Sequence, residues 1–204
     1  MIYFIVTTSI FNDCKIRKFQ YINCINKLRQ TIINISIDNY KLIIVENNGN
    51  RNTFLNLLGC EIYYTDNNKS KYEKGYKELQ DIIDCIKHYN ISDDDFIVKM
   101  TGRYFLDNDS EFMNILKNFK NTQYDCIIKY GSFLNPVNYK IDDCITGLIG
   151  MKCIYIKQIE IPKENECIEW KWAKATYLID NNKIYLINKL GISICPGSNK
   201  YFSV

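Results

Sequence analysis

The chain has 204 residues, of which 47% are hydrophobic and 14% aromatic, and its net charge at pH 7 is only +3. This length suits a single domain, 1–204, with enough apolar side chains to build a core. Because acidic and basic residues are mixed along the chain, the sequence argues against a nucleic-acid binder with a clustered basic face. No apolar run approaches the roughly 20 residues that span a bilayer, and the start lacks the features of a signal peptide.

Apolar runs alternate with helical patterns along the whole chain. Strands are predicted at 2–6, 41–45, 61–65, 95–100 and 124–130, with two short ones near 184–188 and 192–195. Helices are predicted at 15–35, 53–58, 71–89, 110–119 and 165–180. Since each strand is apolar throughout, the pattern predicts an α/β protein with a mostly parallel central sheet, flanked by helices on both faces.

Polar residues follow four of the predicted strands, where sheets of this kind bind their ligands. These residues are Thr7 and Thr8, then Glu46 and Asn47, then 65–67, and finally Thr101, Gly102 and Arg103. No glycine-rich loop follows the first strand, so the pattern argues against a Rossmann dinucleotide site and against a Walker phosphate loop.

The segment 95–106 is the most informative, because a buried strand runs directly into Thr101-Gly102-Arg103. The chain has only four arginines among its 26 basic residues, and an arginine at a strand end suggests a need for bidentate phosphate binding. Strand alternation puts Lys99, Thr101 and Arg103 on one side. The alternative is a surface arginine after a turn glycine.

The helix predicted at 71–89 carries a regular apolar stripe. Its members are Tyr72, Tyr76, Leu79, Ile83 and Ile86. Gly75 lies beside this stripe, where glycine costs about 1 kcal/mol relative to alanine. We therefore expect Gly75 to let either another element or a ligand approach closely.

Acidic residues in the second half supply candidates for a catalytic base. Glu169 lies at the edge of the apolar stripe of helix 165–180, whereas Glu166 points outward. A carboxylate beside the tryptophans of this helix would have a raised pKa and could deprotonate a hydroxyl. The alternatives are an ordinary acid at a helix start, and the rival pair Asp142 and Asp143.

Nine cysteines are scattered along the sequence without a Cys-x-x-Cys pair, so neither a zinc ribbon nor a thioredoxin-like site is indicated. Most lie in apolar runs, where cysteine behaves as a small core residue. We expect a reduced, cytoplasmic compartment. The single histidine, His88, is interpreted as a solvated side chain near a helix end.

Four segments resemble the nucleotide-sugar-dependent glycosyltransferases of the GT-A (Rossmann-like) fold: 2–8, 40–47, 72–78 and 96–104. The chain is similar to small glycosyltransferases of large DNA viruses and of bacterial surface-polysaccharide clusters. The resemblance covers most of the chain, and Lys-x-Thr-Gly-Arg-Tyr at 99–104 is its most specific part.

The resemblance implies a donor half, 1–106, and an acceptor half, 107–204. The donor, a UDP-sugar, would contact Thr7, Thr8, Glu46, Asn47, Lys74, Gly75, Lys99, Thr101, Gly102 and Arg103. The acceptor, a glycan hydroxyl, would contact Asp143 and Trp170. Glu169 and Arg103 would be the catalytic residues of a hexosyl-type transfer.

Metal use is left open by the resemblance. Many relatives carry Asp-x-Asp at the fourth strand end, where it binds Mn²⁺ or Mg²⁺, but here Thr101-Gly102-Arg103 stands in that place. Lys99 and Arg103 would then do part of the metal's work. Asp107 and Asp109 are the remaining metal candidates, and a helix N-cap is their alternative role.

Two other functions remain open at this point. The first is a catalytically inert nucleotide- or glycan-binding module of the same fold. The second is a nucleotidyltransferase, which would need a glycine-rich loop with a basic residue after the first strand, and residues 7–12 offer none.

Overall fold

Ten strands form two sheets in the computed structural model, which describes residues 1–10, 14–131, 142–162, 166–194 and 201–204. The strands are β1 (Ile2–Thr8), β2 (Tyr40–Glu46), β3 (Glu61–Tyr64), β4 (Phe96–Thr101), β5 (Phe105–Leu106), β6 (Cys126–Ile128), β7 (Leu148–Lys152), β8 (Ile184–Leu186), β9 (Ile192–Ile194) and β10 (Phe202–Ser203). The central sheet has the order β3-β2-β1-β4-β7-β6-β8, and the small sheet has the order β10-β9-β5.

The central sheet is mostly parallel, as the sequence predicted. Only β7 runs against its neighbours, β4 and β6, while the other pairs are parallel. β7 was not predicted from the sequence, although it lies between β4 and β6, which were. The short strands β5 and β10 were also missed, since two residues carry no periodic signal.

In the described ranges, five α-helices connect the strands: α1 (Lys15–Asn34), α2 (Lys74–His88), α3 (Glu111–Lys117), α4 (Cys153–Ile156) and α5 (Ile168–Ala175). Short 3₁₀ helices span Phe54–Leu58, Asn67–Lys69, Phe119–Asn121, Thr176–Leu178 and Asn181–Lys183. None of the helices in the described ranges is long and apolar enough to cross a membrane. The helix predicted from 165 begins at Ile168, and residue 165 itself lies outside the described part.

Two apolar layers cover the central sheet, one on each face. Alternate side chains of β1 enter different layers, because successive strand residues point to opposite sides. Phe4 and Val6 pack with α1 and α3, whereas Tyr3 and Ile5 pack with α2, α4 and α5. Each fully buried aliphatic side chain contributes about 1.5–3 kcal/mol. The expected flanking of the sheet by helices on both faces is therefore confirmed.

The buried face of α2 differs from the predicted stripe. Leu79 and Ile86 are buried as expected, but Asp81 and Ile82 are also buried, and Tyr72 precedes the helix and is exposed. The helix is therefore rotated so that a carboxylate faces the sheet. This rotation is possible because the polar strand ends supply partners for that carboxylate.

The eight cysteines of the described ranges carry free thiols. Cys24, Cys85, Cys126, Cys144 and Cys153 are buried, while Cys14 and Cys167 are exposed. Burial raises the pKa of Cys24 to about 12, so such a thiol is unreactive at neutral pH.

Candidate functional site

A cleft of about 1420 Å³ opens at the carboxyl ends of β1 and β4. It is lined by segments that follow β1, β2 and β4, by one face of α2, and by the start of α5. Eight of the residues singled out in the sequence line it: Thr7, Thr8, Asn47, Lys74, Gly75, Thr101, Arg103 and Glu169. Residues as distant in the chain as Thr7 and Glu169 thus meet in one place.

Glu78, which the sequence analysis did not single out, lies at the floor of this cleft. The hydroxyls of Thr7 and Thr101 both donate to its Oε1, and Nζ of Lys99 lies 3.0 Å from its Oε2. Burial opposes the charge, but the Lys99 ammonium and these hydrogen bonds hold the pKa of Glu78 below its ordinary value. Glu78 is therefore ionised at neutral pH.

Lys99 is 1% exposed and does not line the cleft. Its ammonium contacts Oε2 of Glu78, Oγ1 of Thr101 at 3.0 Å and the carbonyl oxygen of Thr146. An ammonium has three N–H donors, so these partners occupy all of them. The contact with Thr101 agrees with the predicted alternation. Lys99 itself lies beneath the surface of the cleft and contacts two residues that line it, Glu78 and Thr101.

Asp81 is a fully buried carboxylate that was also not predicted from the sequence. Its oxygens accept hydrogen bonds from Oγ1 of Thr65 at 2.7 Å, Nδ2 of Asn67 at 2.8 Å and Nδ2 of Asn47 at 2.7 Å. Burial raises the pKa of Asp81 to about 6 despite these bonds. Oδ1 of Asn47 is buried without a hydrogen-bond partner among the described residues.

Glu46 is fully buried and does not line the cleft. Its carboxylate accepts hydrogen bonds from Oγ1 of Thr8 at 2.7 Å and from the backbone N–H groups of Ile10 and Asn48 at 2.9 and 3.1 Å. Burial raises its pKa above the ordinary value. Glu46 therefore joins the loops that follow β1 and β2, and its predicted contact with a ligand remains a prediction.

Gly102 holds the end of β4 against the end of β1. Its N–H donates to the carbonyl oxygen of Thr7 at 2.9 Å, and a Cβ at position 102 would lie 2.9 Å from that same oxygen. The close approach therefore requires glycine. It fixes the backbone next to Arg103, whose guanidinium carbon lies 5.9 Å from the centre of the Tyr104 ring.

Several cationic side chains line the cleft besides Arg103. They are Arg17, Lys71, Lys74 and Lys77, of which Lys77 also donates to the carbonyl oxygen of Asn68 at 3.0 Å. Cations that converge on a concave surface attract phosphate groups, and the arginine forks can bind them in bidentate fashion.

Gly75 brings α2 and α5 together. A Cβ at this position would lie 2.4 Å from Cγ2 of Ile168, the first residue of α5. Of the two roles that the sequence left open, the structure supports the close approach of another element. This contact positions the first turn of α5 at the cleft.

Glu169 follows in that first turn and lines the cleft. Burial raises its pKa above the ordinary value, the charges of Glu78 and Asp143 raise it further, and Lys99 opposes the shift. Glu78 and Glu169 are thus two neighbouring carboxylates with opposite pKa shifts, an arrangement typical of acid–base sites. Trp170 is 43% exposed and does not line the cleft.

The two metal candidates lie elsewhere. Asp107 accepts hydrogen bonds from Oγ of Ser193 at 3.1 Å and Oγ of Ser203 at 3.2 Å, in the small sheet. Asp109 is exposed, and Ser110 caps α3 in its place. In the described ranges no three His, Cys, Asp or Glu side chains are grouped to hold a metal.

A signal for the missed carboxylates was present in the sequence. Lys74, Glu78, Asp81 and Cys85 follow one another at helical spacing, so they share one face of α2. A row of polar residues beside an apolar stripe indicates either a solvated edge or a site. Only the position of α2 over the strand ends distinguishes the two.

The sequence matches no model of a protein family and no curated protein. Solved structures do resemble the fold. A protein described as a glucose-1-phosphate thymidylyltransferase from Bacillus anthracis is 11% identical, with a TM-score of 0.57, over 92% of this chain and 86% of that one. A nucleotide-diphospho-sugar transferase from Desulfovibrio desulfuricans is 10% identical, with a TM-score of 0.51, over 91% and 79%.

A mannosyltransferase from Pyrobaculum calidifontis, solved with GDP-Man and Mn²⁺, is 8% identical, with a TM-score of 0.55. The match covers 91% of this chain but 54% of the mannosyltransferase, so this chain corresponds to about half of that protein. At such identities, similarity is informative about the fold. The chain has a GT-A-like fold, built on the mostly parallel seven-stranded sheet that nucleotide-sugar transferases share.

Proposed function

We propose that this protein is a glycosyltransferase that moves a hexose-type sugar from a nucleoside diphosphate, UDP, to a hydroxyl group of a glycan. The observation that carries the proposal is the composition of the cleft. Cations for a diphosphate and two carboxylates with opposite pKa shifts converge there, at the carboxyl edge of a GT-A-like sheet.

The donor occupies the part of the cleft next to β1, β2 and β4. Asn47, which lines this end of the cleft, is the proposed contact for the nucleoside. Thr7 and Thr8 line the same end. Arg103 and Lys74 bind the diphosphate, with the planar fork of Arg103 across two phosphate oxygens.

Glu169 acts on the acceptor. As the acceptor hydroxyl attacks the anomeric carbon, Glu169 removes its proton, and the nucleoside diphosphate leaves with the electrons of the broken glycosidic bond. A raised pKa makes Glu169 a stronger base than an ordinary carboxylate. Asp143, whose charge contributes to that shift, and the exposed ring of Trp170 are the proposed acceptor contacts.

The negative charge of the leaving group has to be neutralised. We assign this role to Arg103 and Lys74, which line the cleft, and we expect transfer without added metal. This differs from the mannosyltransferase of similar fold, which was solved with Mn²⁺.

A second candidate is nucleotidyl transfer, because the thymidylyltransferase has the same fold and matches over most of its length. The two reactions differ in their products. A nucleotidyltransferase releases pyrophosphate from a nucleoside triphosphate and a sugar 1-phosphate, whereas a glycosyltransferase releases a nucleoside diphosphate. Product analysis therefore separates them, and an inert binding module would release neither.

The test is a panel of nucleotide sugars, with Mn²⁺, Mg²⁺ or EDTA, in thermal-shift and donor-hydrolysis assays on wild type, Arg103→Ala and Arg103→Lys. We expect one UDP-sugar to stabilise wild type and to be hydrolysed in EDTA. Loss of the charged hydrogen bonds should lower kcat/KM of Arg103→Ala by about 10–100-fold. Arg103→Lys keeps the positive charge but not the planar guanidinium, so its kcat/KM should lie between those of wild type and Arg103→Ala. Failure of every nucleotide to bind would refute the donor site.

A further inference from the structure

We infer that Glu78 binds the transferred sugar itself, by accepting a hydrogen bond from one of its hydroxyl groups. This inference rests on the proposed function and adds a catalytic contact to it. Glu78 lines the cleft, and its side chain is 24% exposed, unlike the fully enclosed Glu46 and Asp81.

The carboxylate of Glu78 has room for one further donor. An ionised carboxylate accepts about four hydrogen bonds. Among the described residues, two donors reach Oε1, from Thr7 and Thr101, and one reaches Oε2, from Lys99. The remaining acceptor position belongs to Oε2, and the exposed part of the side chain faces the cleft.

The charge of Glu78 selects a hydroxyl over a phosphate. An ionised carboxylate repels a diphosphate, so the diphosphate has to lie towards the cations of the cleft. Along α2 the charge changes from positive at Lys74 to negative at Glu78 within four residues, a rise of about 6 Å. A nucleotide sugar has the matching order, since an anionic diphosphate is followed directly by a neutral ring of hydroxyl donors.

Glu78 is also held rigidly. Its partners Thr7 and Thr101 stand at the ends of the adjacent strands β1 and β4, whose residues 7 and 101 pair in register. Lys99 is fixed in turn by the carbonyl oxygen of Thr146. A carboxylate held from three sides needs no reorganisation when the sugar binds, so the sugar is oriented for attack at its anomeric carbon. Lys99 and Thr101 are therefore positioning residues.

The first experiment compares wild type with Glu78→Gln, using UDP and the UDP-sugar that wild type turns over best. We expect the dissociation constant of UDP not to rise, because UDP lacks the sugar and the variant removes a charge that repels the diphosphate. We expect kcat/KM for the UDP-sugar to fall by about 10–100-fold, the usual effect of losing a charged hydrogen bond. Equal kcat/KM in the two proteins would overturn the inference.

Glu78→Gln also leaves the buried ammonium of Lys99 without its counter-charge, so the variant could lose activity by unfolding. The double variant Glu78→Gln/Lys99→Met removes that charge and serves as the control. A folded double variant, verified by its melting temperature and UDP binding, should still lack the activity. Recovery of wild-type kcat/KM in the double variant would mean that Glu78 serves only to neutralise Lys99.

The second experiment identifies the hydroxyl. Donors in which one sugar hydroxyl is replaced by hydrogen are assayed with wild type and Glu78→Gln. For the donor that lacks the contacted hydroxyl, wild type and Glu78→Gln should have about the same kcat/KM. For the other donors, kcat/KM of wild type should still exceed that of the variant by the full factor. An unchanged factor for every donor would overturn the contact. If wild type turned over no nucleotide sugar, the proposed function itself would fail, a result distinct from any of these.

Discussion

The contact between Gly75 and Ile168 gives the sharpest test of how α2 and α5 pack. In Gly75→Ala, the new Cβ would lie 2.4 Å from Cγ2 and 2.7 Å from Cβ of Ile168, closer than carbon atoms approach. Replacing glycine inside a helix gains about 1 kcal/mol. Overpacking costs about 1–3 kcal/mol, and here side-chain rotation cannot relieve the contact, because the position of Cβ of Ile168 is fixed by the backbone.

The steric cost should therefore exceed the helix gain, and we expect Gly75→Ala to lower the free energy of unfolding by about 1 kcal/mol. For a chain of this size that corresponds to a fall in melting temperature of about 2–4 °C. The displaced Ile168 directly precedes Glu169, so donor turnover should fall as well.

Chemical denaturation of wild type, Gly75→Ala, Ile168→Ala and the double variant measures the effect. In the Ile168→Ala background the clash with Cγ2 is absent, so Gly75→Ala should cost less there. We expect a coupling energy of at least about 0.5 kcal/mol. The reasoning would be refuted if Gly75→Ala raised stability by the full helix gain, because α5 would then not approach position 75.

Three further substitutions have defined outcomes. Lys99→Met leaves the partly buried charge of Glu78 unpaired and should cost about 3 kcal/mol in urea unfolding; a cost below about 1 kcal/mol would contradict the ion pair. Asp81 has a pKa of about 6 in the folded state against 3.8 ordinarily, so ionising it opposes folding. Relative to Asp81→Asn, the free energy of unfolding of wild type should fall by up to about 3 kcal/mol as the pH rises from about 4 to above 6. If the free energies of unfolding of the two proteins changed in parallel with pH, this effect would be excluded. Glu169→Gln should lower kcat by about 10²–10⁴-fold. In wild type the rate should fall at low pH as Glu169 becomes protonated, and the raised pKa of Glu169 moves this fall to higher pH. The variant should lack this fall, and its persistence would assign the base to another residue.

The strands that build the core of the sheet could be predicted because their sequences are continuously apolar. β1, β2 and β4 were identified from such runs, within two residues at each end. The reversed strand β7 could not be, because the sequence 148–152 contains no signal for its direction or its partners. Strand order and direction depend on contacts between distant segments, which one sequence does not encode locally.

The candidate site was predictable where it depends on strand ends and not where it depends on helix rotation. Thr7, Thr101 and Arg103 lie at or just beyond strand ends and could be assigned to one edge. Glu78 and Asp81 could not, since each is a charged residue on a helix, and such residues usually face solvent. They face the cleft here because threonine, asparagine and lysine side chains at the strand ends satisfy their carboxylates.

The exposed thiol of Cys167 lies at the mouth of the cleft, next to Ile168 and Glu169. Burial, together with the charges of Glu169 and Asp143, raises the pKa of Cys167, whereas the core thiols are inaccessible to reagents. Its rate of alkylation therefore reports the negative charge of Glu169 and Asp143, the acidic wall beside this thiol. A ligand that covers this wall should slow the labelling of Cys167, and removal of the Glu169 charge should speed it, without any need for turnover or for a known acceptor.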